Sequence, residues 1–366
     1  MELLPFQDYA KKEAERVKNA LPFKKEGDLR FAFLPDLHYK FIDEMQASVS
    51  NIVHTINELN RSEKIDFLCL GGDNVGNYPP SPEAHVEMMA ELAQLLSHCE
   101  VPVFCVQGNH DDNSIHGRIS PVSNVCHVGT NVPDSVQYNV LFAGSEKCPH
   151  FHGGGNKALY GYFDCEEAST RVIFLNSSGV PYRVENGIMM YNQQWNFGYT
   201  EAQLSWLCDT ALAGAPENVI FIQHIPFDTE RTEDMNETVY NRDALDKITE
   251  AFIRGSRVQL ISSHEDFGYC LFADFGGKKH RVPARIAGHV HIDTARRDEL
   301  GLLSVTTMLG GRANSGQAAG DDGEIYTHAP FSAAETSLDI FTFSPEEYTL
   351  TATRYGAGKD RKFDIK

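Results

Sequence analysis

Val103-Phe-Cys-Val-Gln-Gly108-Asn109-His110-Asp111 reads as a short apolar strand that stops at a glycine and ends in three polar residues with chemistry to offer. Four other segments repeat the plan. Phe31 to Leu34 runs into Pro35-Asp36-Leu37-His38, and Ile65 to Leu70 stops at Gly71-Gly72-Asp73-Asn74. Val219 to Ile222 ends at Gln223-His224, and Arg285-Ile-Ala runs into Gly288-His289-Val-His291. Continuous apolar runs of this length suit strands buried on both faces. Loops that follow strand ends converge on one edge of an α/β sheet. Residues from Asp36 to His291 are therefore expected to meet in space.

Helical patterns separate these strands. Tyr9 to Leu21, Met45 to Leu59, Glu83 to Leu96 and Arg242 to Ile253 carry helical apolar spacing, and Thr200-Glu-Ala-Gln203 has the form of a capping box. Further strands are expected at Tyr160 to Phe163, Val172 to Leu175, Leu302 to Thr307, Leu338 to Phe343 and Thr349 to Arg354. Alternation in the first half followed by a strand-rich last third fits a mixed α/β layered fold. No linker-like composition divides residues 1–366, so one domain is expected. Three stretches, 112–155, 182–199 and 310–330, are rich in Gly, Asn, Ser or His, and such loops often supply the walls of a site.

With 366 residues, 42% of them hydrophobic, the chain can bury a sizeable core. Its 32 Lys and Arg against 51 Asp and Glu leave a formal charge of −19, which repels a nucleic-acid backbone. The start, Met1-Glu-Leu-Leu-Pro-Phe, lacks the basic and apolar regions of a secretory signal, and no apolar run approaches the length of a membrane span. The eight cysteines form no Cys-x-x-Cys pair, and several lie inside apolar runs. They read as buried reduced thiols, which points to the cytoplasm.

Four imidazoles (His38, His224, His289, His291), two carboxylates (Asp36, Asp73) and the amide oxygen of Asn109 make seven hard or borderline ligands with no thiolate. That set suits Mn, Fe or Zn, as divalent or mixed-valence ions. Seven ligands exceed the needs of one ion but suit two that share a carboxylate, held ~3.5–4 Å apart. Asp-x-His alone is common, and Gly-Asp is an ordinary turn. Gly-Asn-His-Asp and Gly-His-x-His are more specific, and the ordered set of five is what chance does not assemble.

The ordered set resembles the calcineurin-like metallophosphoesterase superfamily, from Phe31 to about Arg354. The resemblance implies a four-layer αββα sandwich of two mixed β-sheets flanked by helices. It implies one metal on Asp36, His38 and His291, a second on Asn109, His224 and His289, and Asp73 bridging them. It also implies attack on a phosphate ester by a hydroxide held between the metals, with His110 as general acid. Asp111 would orient the His110 imidazole, with turn capping as its simpler alternative. On this reading residues 1–28 are a helical extension and 29–357 the catalytic core. Purple acid phosphatases carry a tyrosine ligand three residues after the bridging aspartate; here that residue is Gly76, and Tyr78 is out of register. The tail from Thr353 to Arg361 resembles that of bacterial cytoplasmic phosphoesterases of this type.

The expected substrate is a small phosphate monoester or diester, with no nucleic-acid polymer and no membrane as partner. A catalytically silent metal-binding scaffold of the same fold is the rival reading. Retention of His110 and all seven ligands disfavours it. His116, His150, His152 and Arg312 lie in irregular stretches from which they could reach the site. Trp195 and Tyr199 would either stack on a planar leaving group or pin their loop to the core.

Overall fold

Among the described residues most strands fall into two large mixed sheets, with small two- and three-stranded sheets beside them. In the first, Leu29–Leu34, Phe67–Leu70 and Val103–Cys105 pair in parallel. Ser337–Ser344 adds antiparallel to Leu29–Leu34, followed by Thr349–Gly356 and Arg361–Asp364. The second has a parallel centre of Leu303–Thr306, Arg285–Ala287, Asn218–Ile222 and Thr170–Phe174. Antiparallel strands flank it, Thr294–Arg297 on one side and Gly161–Cys165 with Phe151–Gly153 on the other. The computed structural model describes residues 1–40, 45–76, 81–117, 119, 125–227, 238–298, 300–311, 317–320 and 323–365.

Strand side chains alternate between faces, and both faces are apolar here. From the first sheet, Phe31, Phe33, Phe67, Phe104 and Phe341 point inward, where they meet Phe163, Phe174, Ile220, Ile222 and Ile286 of the second. The Phe67 ring centroid lies 5.2 Å from that of Phe163 and 5.8 Å from that of Phe174. Each such ring taken out of water contributes about 1.5–3 kcal/mol. On the first sheet's other face, Ala32, Leu34, Leu68 and Leu70 pack under helices Met45–Glu63 and Pro82–Leu96. Ile173, Leu175, Val219 and Phe221 pack under Glu201–Trp206 and Arg242–Arg254 on the far side of the second. The result is the expected order of helix, sheet, sheet, helix.

Several elements depart from the sequence reading. Helix Asp8–Ala20 is no appendage: Val17 is buried in the core, Tyr9 donates to Glu335, and Glu13 accepts from the Gly356 N–H. Strand Arg361–Asp364 completes the first sheet, so the layered core runs past the expected end at 357. The hairpin Arg257–Ser262 with Tyr269–Asp274 was not expected. It turns Leu260 and Leu271 inward and Ile261 and Phe272 outward. Thr200 does cap its helix by accepting from the Gln203 N–H, but the reciprocal half of the capping box is missing. The Gln203 amide is instead spent on Asn176, at 2.7 and 2.9 Å. Among its described residues the 112–155 stretch holds short helical turns and two short strands, Cys126–His127 and Phe151–Gly153, and Leu141 and Phe142 join the core.

All eight cysteines are free thiols, and five are buried. Among the described residues no helix is long and apolar enough to cross a membrane.

Candidate metal centre

Backbone pairing continues past the strand ends and aligns the polar loops. Asp36 N–H donates to Gly72 O at 2.9 Å and His38 N–H to Asp73 O at 2.8 Å, extending the parallel ladder of the first sheet. Gly288 N–H donates to His224 O at 3.1 Å in the second. The Gly310-Gly311 turn reaches across, donating to Pro35 O and Asp36 O at 2.9 and 3.1 Å. Five of these residues hold left-handed backbone: Asp36, His38, Asp73, His289 and His291, with φ of 51°, 46°, 51°, 72° and 57°. Such conformations cost about 1–3 kcal/mol each and gather where a site needs a set geometry.

The side chains meet in two clusters. One holds Asp36, His38, Asp73 and His291, the other Asp73, His224 and His289, with the ligand atoms of each within 4.8 Å of one another. Asp73 belongs to both. Its Oδ1 lies 3.3 Å from His224 Nε2, and its Oδ2 lies 3.7 Å from His38 Nε2. Asn109 adds to the second cluster, its Oδ1 standing 3.0 Å from both His224 Nε2 and His289 Nδ1. All seven residues singled out in the sequence are therefore brought together.

The donor set fits cations. His38 Nε2 and His291 Nε2 face each other at 3.3 Å, and Asn109 Oδ1 is surrounded by imidazole nitrogens and carboxylate oxygens. Donor atoms gathered this closely could hold a cation among them. His224 Nδ1 donates to Gly71 O at 2.9 Å, which leaves Nε2 as the ring nitrogen facing the cluster. A backbone carbonyl commonly orients a ligating imidazole in this way. Burial works against the charge on Asp73, but His110, His224 and His38 hold its carboxyl well below the usual range. Burial also pushes His38 down to about 4.

His110 stands at the rim of both clusters. Its N–H donates to Asp73 Oδ1 at 2.9 Å, its Nε2 lies 3.5 Å from Asp73 Oδ2, and its side chain is 14% exposed. Burial lowers its pKa to about 3 against the pull of Asp73. Asp111 does something other than expected. One of its oxygens accepts from Asn74 N–H at 2.8 Å and Val75 N–H at 3.3 Å. The other accepts from Asn74 Nδ2 and Gly108 N–H, both at 2.8 Å. These four N–H groups occupy the carboxylate, so Asp111 ties the Asp73 loop to the Asn109 turn rather than steering the His110 ring.

Close approach explains two glycines. A Cβ on Gly108 would lie 1.9 Å from Asp73 N and 2.2 Å from its Oδ1, so any side chain there would evict the shared carboxylate. One on Gly76 would lie 2.8 Å from His38 Nδ1, which leaves no room for a tyrosine ligand at that position.

Some neighbours of the centre were not legible in the sequence. The 182–199 stretch sends Gln194 against Asn109 and Phe197 against His289, the latter with ring centroids 5.4 Å apart. Two residues beyond His291, Asp293 is clamped by Arg354 at 2.8 Å and Arg361 at 3.3 Å, which gives the unread tail a role. Tyr199 is buried with its hydroxyl on Gln223, so it pins its loop. His150 packs on Phe163 and His152 on Tyr162, and neither joins the ligand clusters. Arg312 lies outside the described residues.

Two ligand clusters meeting on one carboxylate is the arrangement of the two-metal esterases. The chain belongs to the calcineurin-like phosphoesterases, whose family model matches residues 29–293. Among solved structures it is similar to a dimetal phosphatase from Danio rerio. The TM-score is 0.59 at 14% identity, over 93% of this chain and 100% of that one. TT1561 of Thermus thermophilus matches at a TM-score of 0.38 and 9% identity, over 92% of this chain and 99% of that one.

Proposed function

We propose that this chain hydrolyses a small phosphate ester at a two-metal centre. One ion would sit on Asp36, His38, Asp73 and His291, the other on Asp73, Asn109, His224 and His289. The observation that carries the reading is the sharing of Asp73 by both clusters. Bound there, two ions of the Mn, Fe or Zn type would supply Lewis acidity toward phosphoryl oxygens and a water nucleophile of lowered pKa.

The protein's own groups do the rest. Asp73 would place negative charge between two cations that otherwise repel. His110, beside Asp73, faces the rim where an ester would enter. The negative charge of a bound phosphate raises the proton affinity of the imidazole, which would take a proton from solvent and give it to the departing alkoxide. Asp111 acts through the backbone, holding Asn109 and Asp73 in register.

The charge of −19 disfavours a long polyanionic substrate, which would be repelled over about 8 Å in physiological salt. A phosphodiester or nucleotide ranks ahead of a sugar phosphate if the half-buried Trp195 ring stacks on a planar leaving group rather than pinning its loop. The test is turnover of the metal-reconstituted protein on a panel of monoesters and diesters, with His110→Asn beside it. The variant should keep both ions and lose roughly 10²–10⁴-fold on alkyl esters, but much less on nitrophenyl esters, which need no proton. Loss of metal in the variant would make His110 a ligand, and equal losses on both ester types would remove its acid role. Trp195→Ala should raise KM for aryl or nucleotide esters and spare alkyl phosphates; equal effects would remove the stacking.

A further inference from the structure

We propose that Gln194 is a positioning residue that holds the Asn109 amide with its oxygen toward the metal centre. The proposal rests on the two-metal reading and adds a residue to it. An amide has one acceptor end and one donor end, and a half-turn about the last side-chain bond exchanges them. Asn109 directs Oδ1 at His224 Nε2 and His289 Nδ1, 3.0 Å away, and at both Asp73 oxygens, 3.3 Å away. Its Nδ2 stands 3.2 Å from the side-chain nitrogen of Gln194, donor against donor. One of the two amides must therefore turn.

The two ways of turning have opposite consequences. If Asn109 turns, its N–H groups donate to Asp73, His224 and His289, and it presents hydrogens where a ligand oxygen is needed. If Gln194 turns, its Oε1 accepts from Asn109 Nδ2, and Asn109 Oδ1 remains aimed at the cluster. Asn109 is fully buried and Gln194 is 8% exposed, so water cannot readily mediate either arrangement. The Gln194 backbone is held in place, its N–H donating to Asn192 Oδ1 at 3.0 Å. An acceptor at residue 194 thus favours the ligating form of Asn109, and a donor favours the form that closes the site.

The experiment compares Gln194→Glu, which can only accept when ionised, with Gln194→Leu, which can do neither, using the full chain. Mn²⁺ affinity at both sites is measured by calorimetry, with melting of the metal-free protein alongside. Gln194→Leu should weaken one of the two Mn²⁺ sites roughly 10–100-fold, the usual cost of losing a group that orients a ligand, and leave the other within a few-fold. Gln194→Glu should restore most of the loss. Two-site binding by Gln194→Leu at wild-type affinity would overturn the inference. So would equal losses in both variants accompanied by equal falls in metal-free melting temperature, because that pattern means packing alone. A wild-type chain that binds fewer than two ions would instead overturn the reading on which the inference rests.

Discussion

Replacing Arg354 with methionine tests how the C-terminal strands support the centre. Arg354 is 1% exposed and its guanidinium is fully committed. It donates to Asp339 at 2.8 and 3.0 Å, to Asp293 at 2.8 and 3.0 Å, and to Ser337 Oγ and Ala357 O at 3.0 Å. Removing one partner of a buried ion pair costs about 3–5 kcal/mol, because the carboxylates left behind are uncompensated. Arg361 remains 2.8 Å from Asp339, which places Arg354→Met at the lower end, near 3 kcal/mol. At about 2 °C per kcal/mol for a chain this large, thermal melting should fall by about 6 °C. Asp293 follows His291 by two residues, so affinity for the ion on Asp36, His38 and His291 should fall as well. Adding Asp293→Asn to Arg354→Met removes one stranded charge and should recover part of the melting temperature. A single variant that melts within about 1 °C of wild type, or a double variant less stable than the single, would refute the reasoning.

Two further outcomes follow from the geometry. Gly76→Ala places a Cβ 2.8 Å from His38 Nδ1, so it should weaken the ion held by His38 while the other site keeps its affinity, as calorimetry would show. His328 is buried, its Nδ1 3.2 Å from Glu335 O, and burial pushes its pKa down from 6.5 to about 4. The unfolded chain takes up that proton first, so His328 favours the folded state above about pH 6.5 and its contribution is lost as pH falls toward 4. Denaturant titrations of the metal-free protein across that range should show a decline to which buried His38, His85 and His110 also contribute, and His328→Gln should make it smaller.

The clustering of the candidate ligand side chains was legible because they lie at ends of apolar strands, where a sequence pattern states both the element and the edge it reaches. Asp36, His38, Asp73, Asn109, His224, His289 and His291 needed no long-range information beyond the convergence of strand ends. Their supports did. Gln194 sits in a stretch with no periodicity, and nothing local says that it touches Asn109, 85 positions away. Arg354 reads as the end of a strand, and only the pairing of the last three strands brings it to Asp293. Asp111 was misread for a related reason. Adjacency to His110 suggested a bond to that ring, but the tight turn aims its carboxylate back at the N–H groups of Gly108, Asn74 and Val75. The Arg257–Ser262 hairpin was missed because its outward face carries Ile261 and Phe272, which blurs the polar alternation of a half-exposed strand.

The sharing of Asp73 between two ions is tested most directly by counting them. Wild-type protein reconstituted with Mn²⁺ and freed of excess should hold two ions per chain by elemental analysis. Chelation should remove both together with esterase activity, and re-addition should restore them. Asp73→Asn removes the charge common to both clusters, and it should lower occupancy at both sites rather than at one. Two ions in the wild type and fewer than one in the variant would agree with the shared-carboxylate centre. A wild-type count of one or none, or an Asp73→Asn variant that still holds two, would contradict it.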